Sequence, residues 1–252
     1  MMTSLSKIDL KAPVQKIKLN DDGIKLKAPF SMTISGPSQC GKSEFIFQLI
    51  KFRADIVSVE FKRIIYCQSN CYSVKNLEFF ERLKKEFEPL EILQGLPDIN
   101  ELQLTFNNEP ALLIVDDLMN DVLNSKKMVE IATIHAHNFN LSVVFVLQNF
   151  YASGKFSTTL QRNSQYKVLF YNSADLVELR HLSSQMSNSP KFLPLCFDYL
   201  MDHFPESKSF YLLIDAHYRS SIKKFWCRSH IFPQVHKGEI IPILFFPNKK
   251  KN

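Results

Sequence analysis

The chain has 252 residues, of which 45% are hydrophobic and 12 are proline, and it carries a net charge of +6 with a pI near 9.0. That size and composition suit one α/β domain near the upper limit of a single core, and they exclude a long disordered chain. No apolar run approaches the ~18 residues that span a bilayer, the start lacks the apolar stretch of a secretory signal, and the five cysteines form no C-x-x-C pair. A membrane segment, a disulfide scaffold and a zinc ribbon are thereby excluded, and a reduced intracellular setting is expected.

Residues 1–29 alternate lysines with apolar positions and read as an N-terminal extension or edge strand, ahead of one α/β domain over 30–235 and a basic tail over 236–252. Phe30 to Ser35 reads as a strand and Glu44 to Ile50 as an amphipathic helix. Between them lie Gly36, Pro37, Ser38, Gln39, Cys40, Gly41, Lys42 and Ser43, a complete G-x-x-x-x-G-K-[S/T] phosphate-binding loop. Its glycines let successive N–H groups curl around phosphates at a helix N-terminus. Lys42 is expected to reach the β- and γ-phosphates of ATP, and the Ser43 hydroxyl to bind Mg²⁺.

Arg63 to Ser69 reads as a second strand, followed by a helix over about Asn76–Glu88 with Leu77, Phe80, Leu83 and Phe87 on one face. The apolar run Ala111 to Val115 suits a strand covered on both faces and ends in Asp116 and Asp117. These fit a Walker B role, with Asp116 holding Mg²⁺ through water and Asp117 orienting or deprotonating the attacking water. A helix is expected over Ser125–His137, where His135 and His137, two apart, face different ways and make no metal site. Leu141 to Leu147 reads as a central strand ending at Gln148. If that strand lies between the phosphate-loop strand and the Asp116 strand, Gln148 projects toward the γ-phosphate, with Asn149 a weaker candidate for the same work. Tyr166–Tyr171 and Ser209–Asp215 supply further strands. The alternation predicts an α/β fold, a P-loop NTPase of the RecA-like (ASCE) type, with a mostly parallel central sheet flanked by helices.

Absences narrow the class. Asp116 is followed by Asp117-Leu118-Met119, so the Asp-x-x-Gly of a GTPase is missing, as are Asn-Lys-x-Asp, the Leu-Ser-Gly-Gly-Gln of transporter ATPases and a basic kinase lid. What remains is an ATPase with an extra strand between its two nucleotide-binding strands, the branch that includes DNA motors.

From about residue 30 to 235 the chain resembles the FtsK/HerA-type genome-packaging ATPases of double-stranded DNA viruses, particularly the polinton, adintovirus and virophage kind. The carriers are Asp116 to Met119, Asn140 to Phe150, Gly154 to Ser157, Asn163 to Tyr166, Tyr211 to Asp215 and Arg228 to Pro233, in the family's order. The resemblance implies a homo-oligomeric ring that hydrolyses ATP with Mg²⁺ and threads double-stranded DNA, without sequence specificity, into a capsid through its portal vertex. It also implies work inside an infected host cell, in the nucleus or a virus factory, with virion association as a further expectation and no membrane partner. Related chains often carry arginine where this one has Thr158 and Ala174; if either serves there as an inter-subunit arginine finger, this chain must use another residue or hydrolyse slowly. Arg162 is the first choice, with Arg180 and Arg228 as substitutes, and Lys155 is a candidate DNA contact. Two alternatives stay open: another P-loop DNA motor, such as a helicase or loader, and a nucleotide-binding structural protein without turnover.

Overall fold

The computed structural model describes residues 25–97, 108–126, 130, 140–149, 155–217, 227–233, 240 and 242–247. Most of the helix expected over 125–137, both of its histidines, Gly154, residues 1–24 and the lysines of the tail lie outside the described residues.

In chain order the elements are β1 (Ser31–Ser35), α1 (Lys42–Lys51), α2 (Arg53–Ile56), β2 (Arg63–Gln68), α3 (Val74–Glu86), β3 (Leu90–Gln94), β4 (Ala111–Asp116), α4 (Met119–Asn124), β5 (Leu141–Leu147), α5 (Ser157–Asn163), β6 (Tyr166–Phe170), α6 (Leu176–Ser187), α7 (Phe192–His203), β7 (Tyr211–Asp215), β8 (Cys227–Ser229) and β9 (Ile243–Leu244). They build one sheet in the order β3-β2-β4-β5-β1-β6-β7-β8-β9. The strands from β3 to β6 pair in parallel, and β7, β8 and β9 join by antiparallel pairing. The predicted mostly parallel sheet is therefore present, with an antiparallel flank.

Described residues on either side of the segment expected as the main domain also pack against the sheet. Leu26 bridges to Val57 in parallel fashion and is 1% exposed, while Leu244 and Phe245 at the other end are fully buried. Apolar side chains on these short segments reach the sheet's core, and removing them from water outweighs their position outside the motifs.

One face of the sheet packs on α1 and α3 through Met32, Ile34, Ile64, Tyr66, Ile114 and Phe170. Phenylalanine abundance serves this docking. Phe45 of α1 meets Tyr211, Phe232 and Phe170 edge-on, at 5.1, 4.9 and 6.2 Å between ring centres. Such edge-to-face pairs add about 0.5–1.5 kcal/mol each beyond simple burial, and they fix the helix whose first turn follows the phosphate loop. The α3 helix begins at Val74, two residues earlier than the hydrophobic pattern indicated, because the Ser73 hydroxyl accepts from Asn76 N at 3.3 Å and caps it.

The opposite face holds two apolar clusters, one under β4 and β5 with α4 and one under β6 and β7 with α6 and α7. Ser31, Thr33 and Ser35 of β1 point this way and are buried, so a polar seam separates the two clusters. Ser31 Oγ donates to Asn163 O at 2.9 Å. Across from Thr33, Lys167 of β6 is mostly buried and donates from Nζ to Ser164 O at 2.5 Å.

Burial holds the Lys167 ammonium at a pKa of about 8, below the ordinary 10.5. The native state thus releases this proton before the unfolded chain does. Its penalty is full below pH 8 and fades as pH rises toward the unfolded value. Lys167→Met is expected to be more stable than wild type at pH 7, with the gap narrowing by pH 9.5, as read from urea midpoints. A gap that does not change with pH would reject this account.

Candidate nucleotide site

The carboxyl ends of the parallel strands bring the motif residues together. Gly36 N donates to Leu147 O at 3.3 Å, tying the loop entrance to the end of β5. β5 lies between β1 and β4, the condition under which Gln148 borders the terminal phosphate. Gln148 and Asn149 are both exposed there.

The loop curls as the glycine pattern requires. Gln39 and Gly41 have φ of 65° and 110°, and Gly41 precedes α1 with no side-chain cap, which leaves the first-turn amides open to an anion. A methyl at Gly36 would meet Phe170 Cβ at 2.6 Å and Cys40 Sγ at 2.8 Å, so this first glycine is required by packing beneath the loop. Lys42 Nζ donates to Gly36 O at 2.5 Å and Pro37 O at 2.7 Å, folded over the concavity it encloses. Ser38 is exposed in the loop, and Ser43 is exposed at the start of α1. Burial raises the Cys40 thiol pKa against the lowering effect of Lys42 nearby, which keeps it protonated.

Asp116 ends β4 and accepts a hydrogen bond from Tyr66 Oη at 2.5 Å. Burial raises its pKa, the Tyr66 hydrogen bond lowers it, Asp117 raises it and Lys42 lowers it, with a net rise. Tyr66 is itself fully buried, and burial beside Asp116 drives its phenol well above the ordinary range. A carboxylate at this end of the sheet, on the same side as the Ser43 hydroxyl at the start of α1, fits a hard divalent cation such as Mg²⁺, whose charge would favour the ionised form. Among the described residues no group of three His, Cys, Asp or Glu side chains gathers to hold a metal. Asp117 is exposed, has φ of 54°, and accepts from Ser69 Oγ at 3.0 Å. Its carboxylate is therefore held toward the end of β2.

Sequence reasoning missed Tyr66, Ser69 and Phe170. The only signal for the first two was their position at the end of the second strand, and it becomes legible once β2 is known to pair with β4.

The three arginines are placed differently. Arg162 is exposed in the last turn of α5. The neighbouring Asn163 carbonyl meets Ser31, at the opposite end of β1 from Gly36. Arg180 is exposed on α6. Arg228 must be withdrawn as a substitute finger: its side chain is fully buried and pairs with Asp215 at 3.1 Å, so it cannot reach another subunit. Lys155 is exposed, with its ammonium 5.4 Å from the centre of the Phe156 ring.

A phosphate loop after β1, an acidic pair after β4 and an inserted β5 between those strands define the fold of an ASCE-type P-loop NTPase. No family model and no curated protein matches the chain. Among solved structures it is similar to the genome packaging NTPase B204 from Sulfolobus turreted icosahedral virus 2, solved in complex with sulfate, at 12% identity and a TM-score of 0.47, over 74% of this chain and 91% of that one. The same protein in complex with ATP-gammaS matches at 14% identity and a TM-score of 0.47, over 74% and 92%. The KaiC-like protein PH0186 from Pyrococcus horikoshii OT3 follows at 11% identity and a TM-score of 0.39, over 63% and 81%. Among the described residues no helix is long and apolar enough to cross a membrane.

Proposed function

We propose that this chain is an ATP-hydrolysing motor that works as a homo-oligomeric ring and translocates double-stranded DNA into a viral capsid. The observation that carries the reading is the insertion of β5 between β1 and β4. It gathers the phosphate loop, the acidic pair and Gln148 at one end of the sheet, while the favoured arginine stands exposed at the other. Lys42 binds the β- and γ-phosphates, Asp117 handles the attacking water and Gln148 positions it. Ser43 and Asp116 hold Mg²⁺, which when bound neutralises charge on the phosphates. Arg162 serves a neighbouring subunit, because its place at the far end of β1 prevents it from reaching the nucleotide of its own chain. Duplex DNA as the track and the capsid vertex as the anchor rest on the motif resemblance, with the net charge of +6 in accord.

The test measures ATP turnover with and without duplex DNA beside the mass of the oligomer. Turnover should rise with DNA and with assembly, and DNA binding should weaken steeply with salt and ignore sequence. Mixing Arg162→Ala and Lys42→Ala subunits should restore part of the activity. Full activity in a dilute monomer would reject action between subunits. The Ser69–Asp117 hydrogen bond favours one alternative, a chain that holds nucleotide without turnover. Tight ATP binding with no multiple-turnover phosphate release would select it.

A further inference from the structure

Asp116 and Gln148 lie on the β4–β5 side of β1. A triphosphate held in the loop therefore directs its terminal phosphate that way and its nucleoside toward β6 and β7. The inference that follows rests on the nucleotide reading above. On this second side the turn between α7 and β7 lies against the phosphate loop. A methyl placed on Gly41 would stand 3.0 Å from Ser209 Oγ and 3.1 Å from its Cβ.

The turn is tied in place at several points. Ser207 N donates to Phe204 O at 2.9 Å, Ser207 Oγ donates to Ser209 O at 2.9 Å, and Phe210 O accepts from Tyr171 N at 3.0 Å. Lys208 is carried between the two serines, one residue from the contact with Gly41. It is exposed, and its ammonium makes no ion pair with the described residues. Lys42 is folded onto loop carbonyls, and the turn that carries Lys208 reaches the same loop from a different element through Ser209.

We propose that Lys208 is a second phosphate-binding cation of this site. It contacts the nucleoside-proximal phosphates of a nucleoside di- or triphosphate, and Ser209 positions it by packing on Gly41. A lysine suits this work because a compact charge on a flexible four-carbon stem can follow phosphate oxygens from a fixed backbone. The phosphates it meets are common to ATP and ADP, so it strengthens both equally. That separates it from groups on the β4–β5 side, which act on the terminal phosphate.

Calorimetric titration of the full chain with ATP and with ADP tests the assignment, using wild type, Lys208→Ala and Lys208→Arg. The alanine variant should lose about tenfold in affinity for both nucleotides, as expected for one charge-assisted hydrogen bond, and the arginine variant should keep most of it. A wild type that binds neither nucleotide defeats the nucleotide reading itself. Wild-type binding with Lys208→Ala unchanged within twofold overturns the role of Lys208 alone. Acylation of surface amines read by mass spectrometry gives a check that needs no variant: ATP should shield Lys208 in the wild-type chain, and an amine equally reactive with and without ATP also overturns the assignment.

Discussion

Lys42→Ala is expected to abolish measurable ATP turnover while leaving the thermal melting temperature close to that of wild type. The ammonium donates to Gly36 O, Pro37 O and, at 4.0 Å, Cys40 Sγ, all loop atoms at the rim of the site, and its stem is no part of any apolar cluster. Its removal therefore costs the fold little and removes the cation that meets phosphate charge as transfer proceeds. The loss in kcat should be on the order of 10²–10³ or more, the scale of deleting one preorganised charge donor. Phosphate release and melting temperature measured on the same sample check both halves. Turnover within tenfold of wild type would place the chemistry elsewhere.

The second large effect falls on stability. Arg228→Leu leaves the Asp215 carboxylate, 1% exposed, without the guanidinium that sits 3.1 Å away. Breaking a buried pair from one side typically costs about 3–5 kcal/mol, because the remaining charge is stranded away from water. Adding Asp215→Asn should recover much of that loss, since the amide oxygen can still accept from His217 N as Oδ1 does at 3.1 Å while no charge stays buried. Urea unfolding of the single and double variants measures the difference. A single variant within 1 kcal/mol of wild type would mean that the pair contributes nothing. Because Arg228 is enclosed, the same variant mixed with Lys42→Ala should show no complementation beyond what its folded fraction allows.

Much of this molecule is legible in the chain by itself. The loop from Gly36 to Ser43, the acidic pair after an apolar strand and the strand ending at Gln148 are local signals, because phosphate binding requires consecutive backbone amides and a buried parallel strand requires a continuous apolar run. The alternation of such runs with amphipathic segments was enough to predict the parallel sheet and its class.

Strand order was legible only in part, and it decides the site. An extra strand between the two nucleotide-binding strands was expected for the class, and β5 stands there between β1 and β4; that β2 stands beside β4, so that Tyr66 reaches Asp116, follows from which strands bury which faces, a property of the whole sheet. The short strand β3 shows why such elements escape a linear reading. Leu90-Glu91-Ile92-Leu93-Gln94 has no clear period, and its extended form comes from pairing with β2 and from the bidentate Arg63–Glu91 ion pair. Arg228 carries the same lesson for charge: in the sequence it is one arginine among several, and only the packing of β8 between β7 and β9 makes it a buried structural cation. Local motifs specify chemistry because their partners are neighbours in the chain. Burial, pairing and the reach of one side chain to another depend on residues far apart in sequence, and for these the tertiary structure alone decides.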